Sequence, residues 1–328
     1  MPKNKKIKIG VLMGGPSTER EVSFVTGKAV CDNLDKNKYQ IFPIEMSKSG
    51  EFFLLKNEKK ELFDIFKNKK KFDIIFIAMH GAYGEDGCAQ GMLQTLGIRY
   101  TGSGVLASAV GMDKIKSNEL YKIGGLSVPK FIYFNKNEWK KSKDETLEKI
   151  KIKIGMPVVI KPVDQGSSVG VFIIKEEKEI KKAVEAAFKY SNFIMAQAFV
   201  KGEEATCGVL ESGGEPFALP PTRIKANIGE FYDYKSKYKT GGSTHICPAD
   251  FSSEINKKIQ EMAVKAHKIL GCRGMSRTDF IVSEDEKIYV LETNTIPGMT
   301  PMSLLPEAAG KAGIGFTEML NLIVKASL

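Results

Sequence analysis

Two short apolar runs, each followed at once by a glycine-containing turn, constrain the fold more than any other feature of the chain. Ile7 to Met13 ends in Gly14-Gly15, and Phe72 to Met79 ends in His80-Gly81. Continuous apolar runs of this length are typical of parallel strands covered on both faces by helices. In such sheets, ligands bind at the carboxyl ends of the strands, where both turns lie. We therefore predict a doubly wound (Rossmann-like) α/β domain over residues 1–113.

A helix is expected directly after the first turn, because Thr18 and Glu21 have the spacing of a capping box. The rest of the chain predicts two units of the α+β class. The central unit, residues 114–195, is expected to hold helices at 138–153 and 177–190 and strands at 157–161 and 170–174, with a Gly/Ser loop between the two strands. The C-terminal unit, residues 196–328, is expected to hold a helix at 254–270 and a hairpin whose strands are 277–282 and 288–293.

The predicted hairpin carries polar side chains that face one another. Residues two apart in a strand share a face, so Arg277 lies beside Asp279 and Glu292 lies beside Asn294. A symmetric hairpin then places Asp279 opposite Glu292 and Arg277 opposite Asn294. Facing carboxylates destabilise a sheet unless a cation lies between them, and with Asn294 they offer the oxygen ligands that Mg²⁺ prefers. An ordinary hairpin with a solvated polar face is the alternative.

The Gly/Ser loop 165–170 follows a strand that ends in Lys161. It is not a Walker A loop, because no Gly-Lys-Ser/Thr closes it and a strand follows. Its backbone N–H groups and hydroxyls could nevertheless bind phosphate beside the Lys161 ammonium, although a flexible loop is the alternative. Together with the hairpin, this loop indicates ATP with Mg²⁺.

Two residues at the strand ends have both a functional and a structural interpretation. Glu19, in the first turn of the predicted helix, either binds a ligand or complements the helix dipole. His80 either contacts a ligand or is a buried, hydrogen-bonded histidine.

The charge of the chain does not indicate a nucleic-acid partner. Basic residues outnumber acidic ones by 49 to 39, but they include only five arginines: Arg20, Arg99, Arg223, Arg273 and Arg277. Base and phosphate recognition favours arginine, so we interpret the lysines as a solvated surface. The five cysteines form no CxxC pair, which argues against disulfides and zinc and favours the cytoplasm. No apolar run reaches the roughly 20 residues needed to span a membrane.

Eight motifs of the chain resemble, in the same order, those of D-alanine–D-alanine ligases. They are GGPSTEREVS (14–23), AMHGAYGEDGCAQGML (78–93), YTGSG (100–104), MDK (112–114), IKPVDQGSSVG (160–170), FYDYKSKY (231–238), SRTDF (276–280) and LETNTIPGMT (291–300). The resemblance covers nearly the whole chain and implies the ATP-grasp fold of these cell-wall enzymes. It also implies their reaction, in which ATP phosphorylates one D-alanine, and the amine of a second attacks the acylphosphate.

The resemblance assigns roles to individual residues. For the nucleotide it implies Mg²⁺ or Mn²⁺ ligands, two ions being expected, at Asp279, Glu292 and Asn294; phosphate contacts at Lys114, Lys161, Ser168 and Lys237; and a ribose contact at Glu204. For the amino acids it implies Glu19 and His80 at the first D-alanine, Ser303 and Leu304 at the second, and Arg277 with the Gly298 N–H at the tetrahedral oxyanion. Ser167, Tyr238 and Glu19 match a triad that closes a loop over the site.

The chain departs from the commoner family pattern at two places. Gln165 stands where many members carry Glu, and Gln197-Ala198 stands where many carry Glu-Lys beside the adenine. The second departure affects the expected affinity for the nucleotide, and with it the preference for the base. The metal and acyl-transfer residues are unaffected.

Three alternatives remain open at this point. The first is a D-alanine–D-lactate ligase, although the loop with Tyr238 resembles the dipeptide-forming branch. The second is an ATP-grasp ligase for another acid and amine, which the Glu19 and Ser303 matches disfavour. The third is a non-catalytic nucleic-acid-binding protein, which predicts salt-dependent binding to DNA or RNA. Family precedent also implies a homodimer through the first domain.

Overall fold

The structure is a computed structural model that describes residues 6–56, 59–226 and 242–328. Within these ranges the strands form three sheets. Among the same residues, no helix is both long and apolar enough to cross a bilayer.

The N-terminal sheet has five strands in the order β4-β3-β2-β1-β5. They are β1 (Ile7–Gly14), β2 (Tyr39–Met46), β3 (Phe52–Lys56), β4 (Lys59–Leu62) and β5 (Ile74–Ile77). β1 pairs in parallel with both β2 and β5, which confirms the prediction from the two apolar runs. The antiparallel strands β3 and β4 extend one edge of the sheet.

Helix α1 (Arg20–Asn33) follows β1, but the predicted capping box is wrong. The N-cap residue is Glu19, and no side chain caps the helix. The Glu19 backbone N–H donates to Ser17 Oγ, at 3.0 Å. The Glu19 carboxylate accepts a hydrogen bond from the Ser167 hydroxyl, so the side chain at the N-cap position makes a tertiary contact and does not cap the helix.

The central sheet has four strands in the order β6-β9-β7-β8. The strands are β6 (Phe131–Asn135), β7 (Val158–Pro162), β8 (Phe172–Ile174) and β9 (Phe193–Ala198), with helices α5 (Lys136–Lys141), α6 (Lys143–Lys153) and α7 (Ile180–Ala187). The single helix predicted over 138–153 is wrong. Asn135 and Glu138 form a capping box that starts α5 earlier, and the non-helical backbone of Ser142 separates α5 from α6.

The C-terminal sheet has the order β13-β12-β10-β14-β15, with β11 paired to β10. Its strands are β10 (Gly202–Ser212), β11 (Glu215–Ala218), β12 (Thr222–Ala226), β13 (Ser243–Ile246), β14 (Met275–Ser283) and β15 (Ile288–Asn294). The remaining helices are α2 (Cys88–Thr95), α3 (Val105–Met112), α4 (Lys114–Ile123), α8 (Ser253–Leu270), α9 (Leu304–Lys311) and α10 (Phe316–Lys325). The predicted helix and hairpin strands of this unit correspond to α8, β14 and β15.

Helix α4 packs against the C-terminal hairpin. The Tyr121 hydroxyl donates to Thr293 Oγ1 at 2.7 Å, and Asn118 Nδ2 donates to the Leu291 carbonyl at 3.3 Å. The core beneath the N-terminal sheet also takes in Leu305 of α9 and Leu320 of α10. We propose that the three sheets mark the three units expected at 1–113, 114–195 and 196–328, joined by these contacts.

Candidate active site

The hairpin of β14 and β15 has the predicted register at its two polar cross-strand pairs, which we call the polar rungs. Arg277 pairs with Asn294, and Asp279 pairs with Glu292. Beyond Asp279 the symmetric register is wrong, because Phe280 pairs with Val290 and leaves Leu291 as an extra residue. Such a bulge redirects side chains, and here both Leu291 and Glu292 line the same cavity.

The carboxylate of Asp279 is held from three sides. Arg277 pairs with it in a bidentate contact, Nε to Oδ1 and Nη2 to Oδ2, both at 3.0 Å. Thr206 Oγ1 donates to Oδ1 at 2.6 Å, and Asn294 Nδ2 donates to Oδ2 at 3.2 Å. Hydrogen bonds to an ionised group are the strong ones, so Asp279 and Arg277 fix each other's position.

The polar rungs of the hairpin form a donor set of oxygen atoms. Asp279 and Glu292 supply carboxylates, and Asn294 adds an amide. The structure thus brings together all three residues predicted as metal ligands. Hard cations such as Mg²⁺ take oxygen ligands and keep waters and phosphate oxygens, so this donor set fits Mg²⁺.

Two buried lysines, each 7% exposed, lie beside the hairpin. Lys114, the first residue of α4, contacts Glu292 Oε2 at 3.1 Å and donates to the Gln165 carbonyl at 2.7 Å. Lys161 in β7 donates to Gln197 Oε1 at 2.8 Å. Burial, reinforced by the positive charge of Lys114, lowers the pKa of Lys161 to about 8. Buried cations need anionic partners, which phosphate groups can supply.

The lysines and the hairpin carboxylates form one end of a large cavity, which we call the central cavity. The rest of its wall is largely apolar and includes Val159, Ile173, Phe199, Val200 and Leu291. Ser168 and Glu204, which were expected at a phosphate and at the ribose, also line it, and so does Leu304, which was expected at the second substrate. Apolar walls beside a charged end suit a base with attached phosphates.

A second cavity lies between the N-terminal unit and the Gly/Ser loop. Glu19, Gly81, Gly166 and Ser167 are among its lining residues, and the Ser167 hydroxyl donates to Glu19 Oε1. Ser167 and Ser168 both have left-handed backbone, with φ values of 49° and 58°. This conformation costs a non-glycine residue about 1–2 kcal/mol, so tertiary contacts such as the one to Glu19 must hold the loop.

His80 is buried and has a partner for each ring nitrogen. Nε2 lies 2.8 Å from Thr26 Oγ1, and Nδ1 lies 3.1 Å from Glu85 Oε1. Burial raises the pKa of Glu85, the His80 contact opposes this shift, and the nearby Glu19 charge adds to it. Glu85 also lines a small cavity with Glu292 and Asn294, so this network reaches the hairpin.

The residues expected at the second substrate lie together at the start of α9. Ser303 is its N-cap residue, and its Oγ accepts from the Thr300 N–H at 3.1 Å. A Cβ on Gly298 would lie 2.9 Å from Ser303 Oγ, so only glycine fits against this serine without a shift. A helix N-terminus with free N–H groups favours a carboxylate.

Not every site residue was predicted, and two predictions cannot be placed. Lys237 and Tyr238 lie outside the described residues. Thr206 and Glu85, which support Asp279 and His80, were not predicted. The position of Glu85, five residues after His80 in a Gly-rich turn, was a usable signal, whereas Thr206 has no local one.

Comparisons with known proteins agree over nearly the whole chain. The family described as "D-ala D-ala ligase C-terminus" matches residues 120–325, and "D-ala D-ala ligase N-terminus" matches residues 8–67 and 55–103. A D-alanine--D-alanine ligase of Clostridium beijerinckii is 41% identical over 322 residues, covering 98% of this chain and 99% of that protein.

Solved structures of similar proteins include two informative cases. The VanG D-Ala:D-Ser ligase of Enterococcus faecalis has a TM-score of 0.87 and 32% identity, covering 99% of this chain and 100% of that one. The D-alanine--D-alanine ligase of Bacillus anthracis complexed with ATP has a TM-score of 0.80 and 34% identity, covering 98% and 97%.

Proposed function

The chain belongs to the D-alanine–D-alanine ligase family, and we propose that it joins two D-alanines to D-alanyl-D-alanine, using ATP and a D-alanyl phosphate intermediate. The dipeptide serves peptidoglycan precursor synthesis and, through it, cell shape. The observation that carries the proposal is the Asp279–Glu292 rung, which meets two buried lysines in one cavity. That arrangement suits a nucleoside triphosphate with a divalent cation.

The central cavity holds ATP in this proposal. Lys114, Lys161 and Ser168 bind its phosphates, together with Lys237, and Glu204 binds the ribose. Asp279, Glu292 and Asn294 hold Mg²⁺ or Mn²⁺, for which we propose two ions. When bound, these ions neutralise phosphate charge. Lys161 supports the assignment, because it has no ion pair among the described residues and burial without an anion is unfavourable for an ammonium group.

The first D-alanine binds in the second cavity. Its ammonium group pairs with Glu19, and His80 lies beside it, fixed by Thr26 and Glu85. Its carboxylate oxygen attacks the γ-phosphorus of ATP, which forms the acylphosphate and releases ADP. The small cavity that joins Glu85 to the hairpin supports this placement.

The second D-alanine binds with its carboxylate at Ser303 and Leu304. Its free amine attacks the acyl carbon, and the tetrahedral intermediate expels phosphate. Arg277 and the Gly298 N–H stabilise the oxyanion, which requires fixed donors. The bidentate contact with Asp279 supplies that fixation for Arg277. Ser167, Tyr238 and Glu19 close the loop and exclude water that would hydrolyse the acylphosphate.

A phosphate-release assay with mass analysis of the product tests this function. Phosphate should appear only when ATP and D-alanine are both present, and the product should be the dipeptide. Chelation with EDTA should abolish turnover, and added Mg²⁺ should restore it. Competition among D-alanine, D-serine and D-lactate identifies the second substrate. D-alanine should dominate at pH 7, and a D-lactate or D-serine product as the main species would overturn the assignment.

We further propose a cytoplasmic homodimer that contacts through the N-terminal unit. Leu62 and Phe66 of that unit are 73% and 61% exposed, and a dimer contact at this place would bury them. The five free cysteines support a reducing compartment. Light scattering after size-exclusion chromatography tests the dimer, and a monomer at micromolar concentration would contradict it.

A further inference from the structure

The side chain of Gln197 in β9 is buried, and only one of its two amide groups, the oxygen, has a hydrogen-bond partner among the described residues. It is 2% exposed and lines the central cavity. Its Oε1 accepts a hydrogen bond from Lys161 Nζ at 2.8 Å. Its Nε2 has no hydrogen-bond partner among the described residues. A buried N–H group without an acceptor is unfavourable, so this position requires an acceptor that the described part of the protein does not supply.

The contact with Lys161 determines which amide atom is left over. A lysine ammonium group has three N–H donors and no acceptor. Only Oε1 can therefore face it, since the flipped amide would place donors against donors. The atom that remains for a ligand is Nε2, which can only donate.

The surroundings of Gln197 indicate which part of a nucleotide it meets. In the sheet it pairs with Val159 of β7, and the residues that follow it, Ala198 to Val200, line the central cavity as well. This is the largely apolar part of the wall, which suits a flat base. The ammonium of Lys161, which we propose as a phosphate contact, faces the other atom of the amide, Oε1.

We infer that Gln197 helps to select the base, by donating a hydrogen bond from Nε2 to an acceptor atom of a purine. The inference rests on the proposed function only in placing a nucleotide in the central cavity. Adenine offers ring nitrogens as acceptors, and hypoxanthine offers two ring nitrogens and a 6-oxo group. A carboxylate at this position could only accept, so it would favour the 6-amino group of adenine and repel a 6-oxo group. Glutamine thus permits a 6-oxo purine that glutamate would exclude.

The decisive experiment compares wild type with Gln197→Glu. Calorimetry with Mg²⁺ gives the Kd of the β,γ-imido analogues of ATP and of inosine triphosphate. The ratio of the inosine Kd to the adenosine Kd should rise about ten-fold in the variant, which is about 1.4 kcal/mol. Any rise above three-fold supports the inference, and a smaller rise or a fall overturns it. Gln40→Glu, the same change at an exposed position of β2, should keep the wild-type ratio.

A second variant covers the case in which Gln197→Glu does not fold, as judged by its thermal melt. Gln197→Met removes the donor, so the affinity for both analogues should fall by more than three-fold, and a smaller loss overturns the inference. Failure of the nucleotide site can be distinguished from failure of the role of Gln197. A wild-type chain that binds neither analogue would overturn the nucleotide site itself, whereas binding with an unchanged ratio overturns only the role of Gln197.

Discussion

Two regions border the central cavity: the hairpin of β14 and β15, and the central strand β7 with its loop. They differ in whether their charged side chains are paired within the protein. On the hairpin, Asp279 is paired with Arg277 and Glu292 with Lys114. On β7, Lys161 contacts the neutral amide of Gln197, and no ion pair of Lys161 occurs in the described part of the chain. The hairpin is therefore organised before the ligand arrives, whereas β7 presents a positive charge that a phosphate has to complete.

The largest expected effect comes from breaking the hairpin side of this comparison. Arg277→Ala removes the oxyanion donor and the fixed partner of Asp279, so kcat should fall by about 10²-fold or more. Steady-state phosphate release measures the change. Arg277→Lys keeps the charge but cannot make the bidentate contact, and it should recover only part of the loss. An unchanged kcat in Arg277→Ala would remove this residue from the proposed mechanism.

The uncompensated charge of Lys161 should make stability rise with pH. Its pKa is lowered to about 8 in the folded protein, below the usual value near 10.4. Between these values the unfolded chain binds the additional proton, so the free energy of unfolding should rise by about 1.4 kcal/mol per pH unit. Urea denaturation from pH 8 to 10 measures the slope. Lys161→Met should lack this contribution, and identical slopes in the two proteins would contradict it.

The hydrogen bond from Ser167 to Glu19 helps hold the loop against the N-terminal unit, so removing it should weaken substrate binding more than it slows the chemistry. Ser167→Ala removes the hydroxyl that donates to Glu19, a hydrogen bond to a charged acceptor. The KM for D-alanine should rise about ten-fold, with kcat within about three-fold of wild type. Ser49→Ala, at an exposed turn, is the control and should match wild type. A fall in kcat with an unchanged KM would contradict the role of this loop in positioning the substrate.

The smallest effect is expected behind the hairpin, where the contacts are neutral. Tyr121→Phe removes the hydroxyl that donates to Thr293, while Thr293 keeps its contact with Thr278. The free energy of unfolding should fall by about 1 kcal/mol, as chemical denaturation can measure. Tyr133→Phe, on a half-exposed side chain, should stay within about 0.5 kcal/mol of wild type. Equal losses in the two variants would mean that the buried hydroxyl has no special role.

The local parts of the fold and site could be predicted from the sequence. The apolar runs predicted parallel pairing, and the spacing of Asp279 and Glu292 predicted their shared rung. A hairpin closes over a few residues, so strand periodicity and loop length largely set its register. The bulge at Leu291 was not predictable in this way. The residues around Leu291 have the ordinary composition of a β-strand and give no local signal for a bulge. The Leu291 carbonyl accepts a hydrogen bond from Asn118, which lies on a helix distant in sequence.

By itself, the sequence determined which residue types carry the chemistry and which of them share a strand face, because side-chain alternation is a local property. Only the tertiary structure decided which distant groups meet. Ser167 and Glu19 are 148 positions apart, and their contact joins the Gly/Ser loop to the start of α1. Lys161 and Gln197 lie on neighbouring strands 36 positions apart. Such pairs form because burial leaves polar groups that must find partners, and the packed chain determines which partners are within reach.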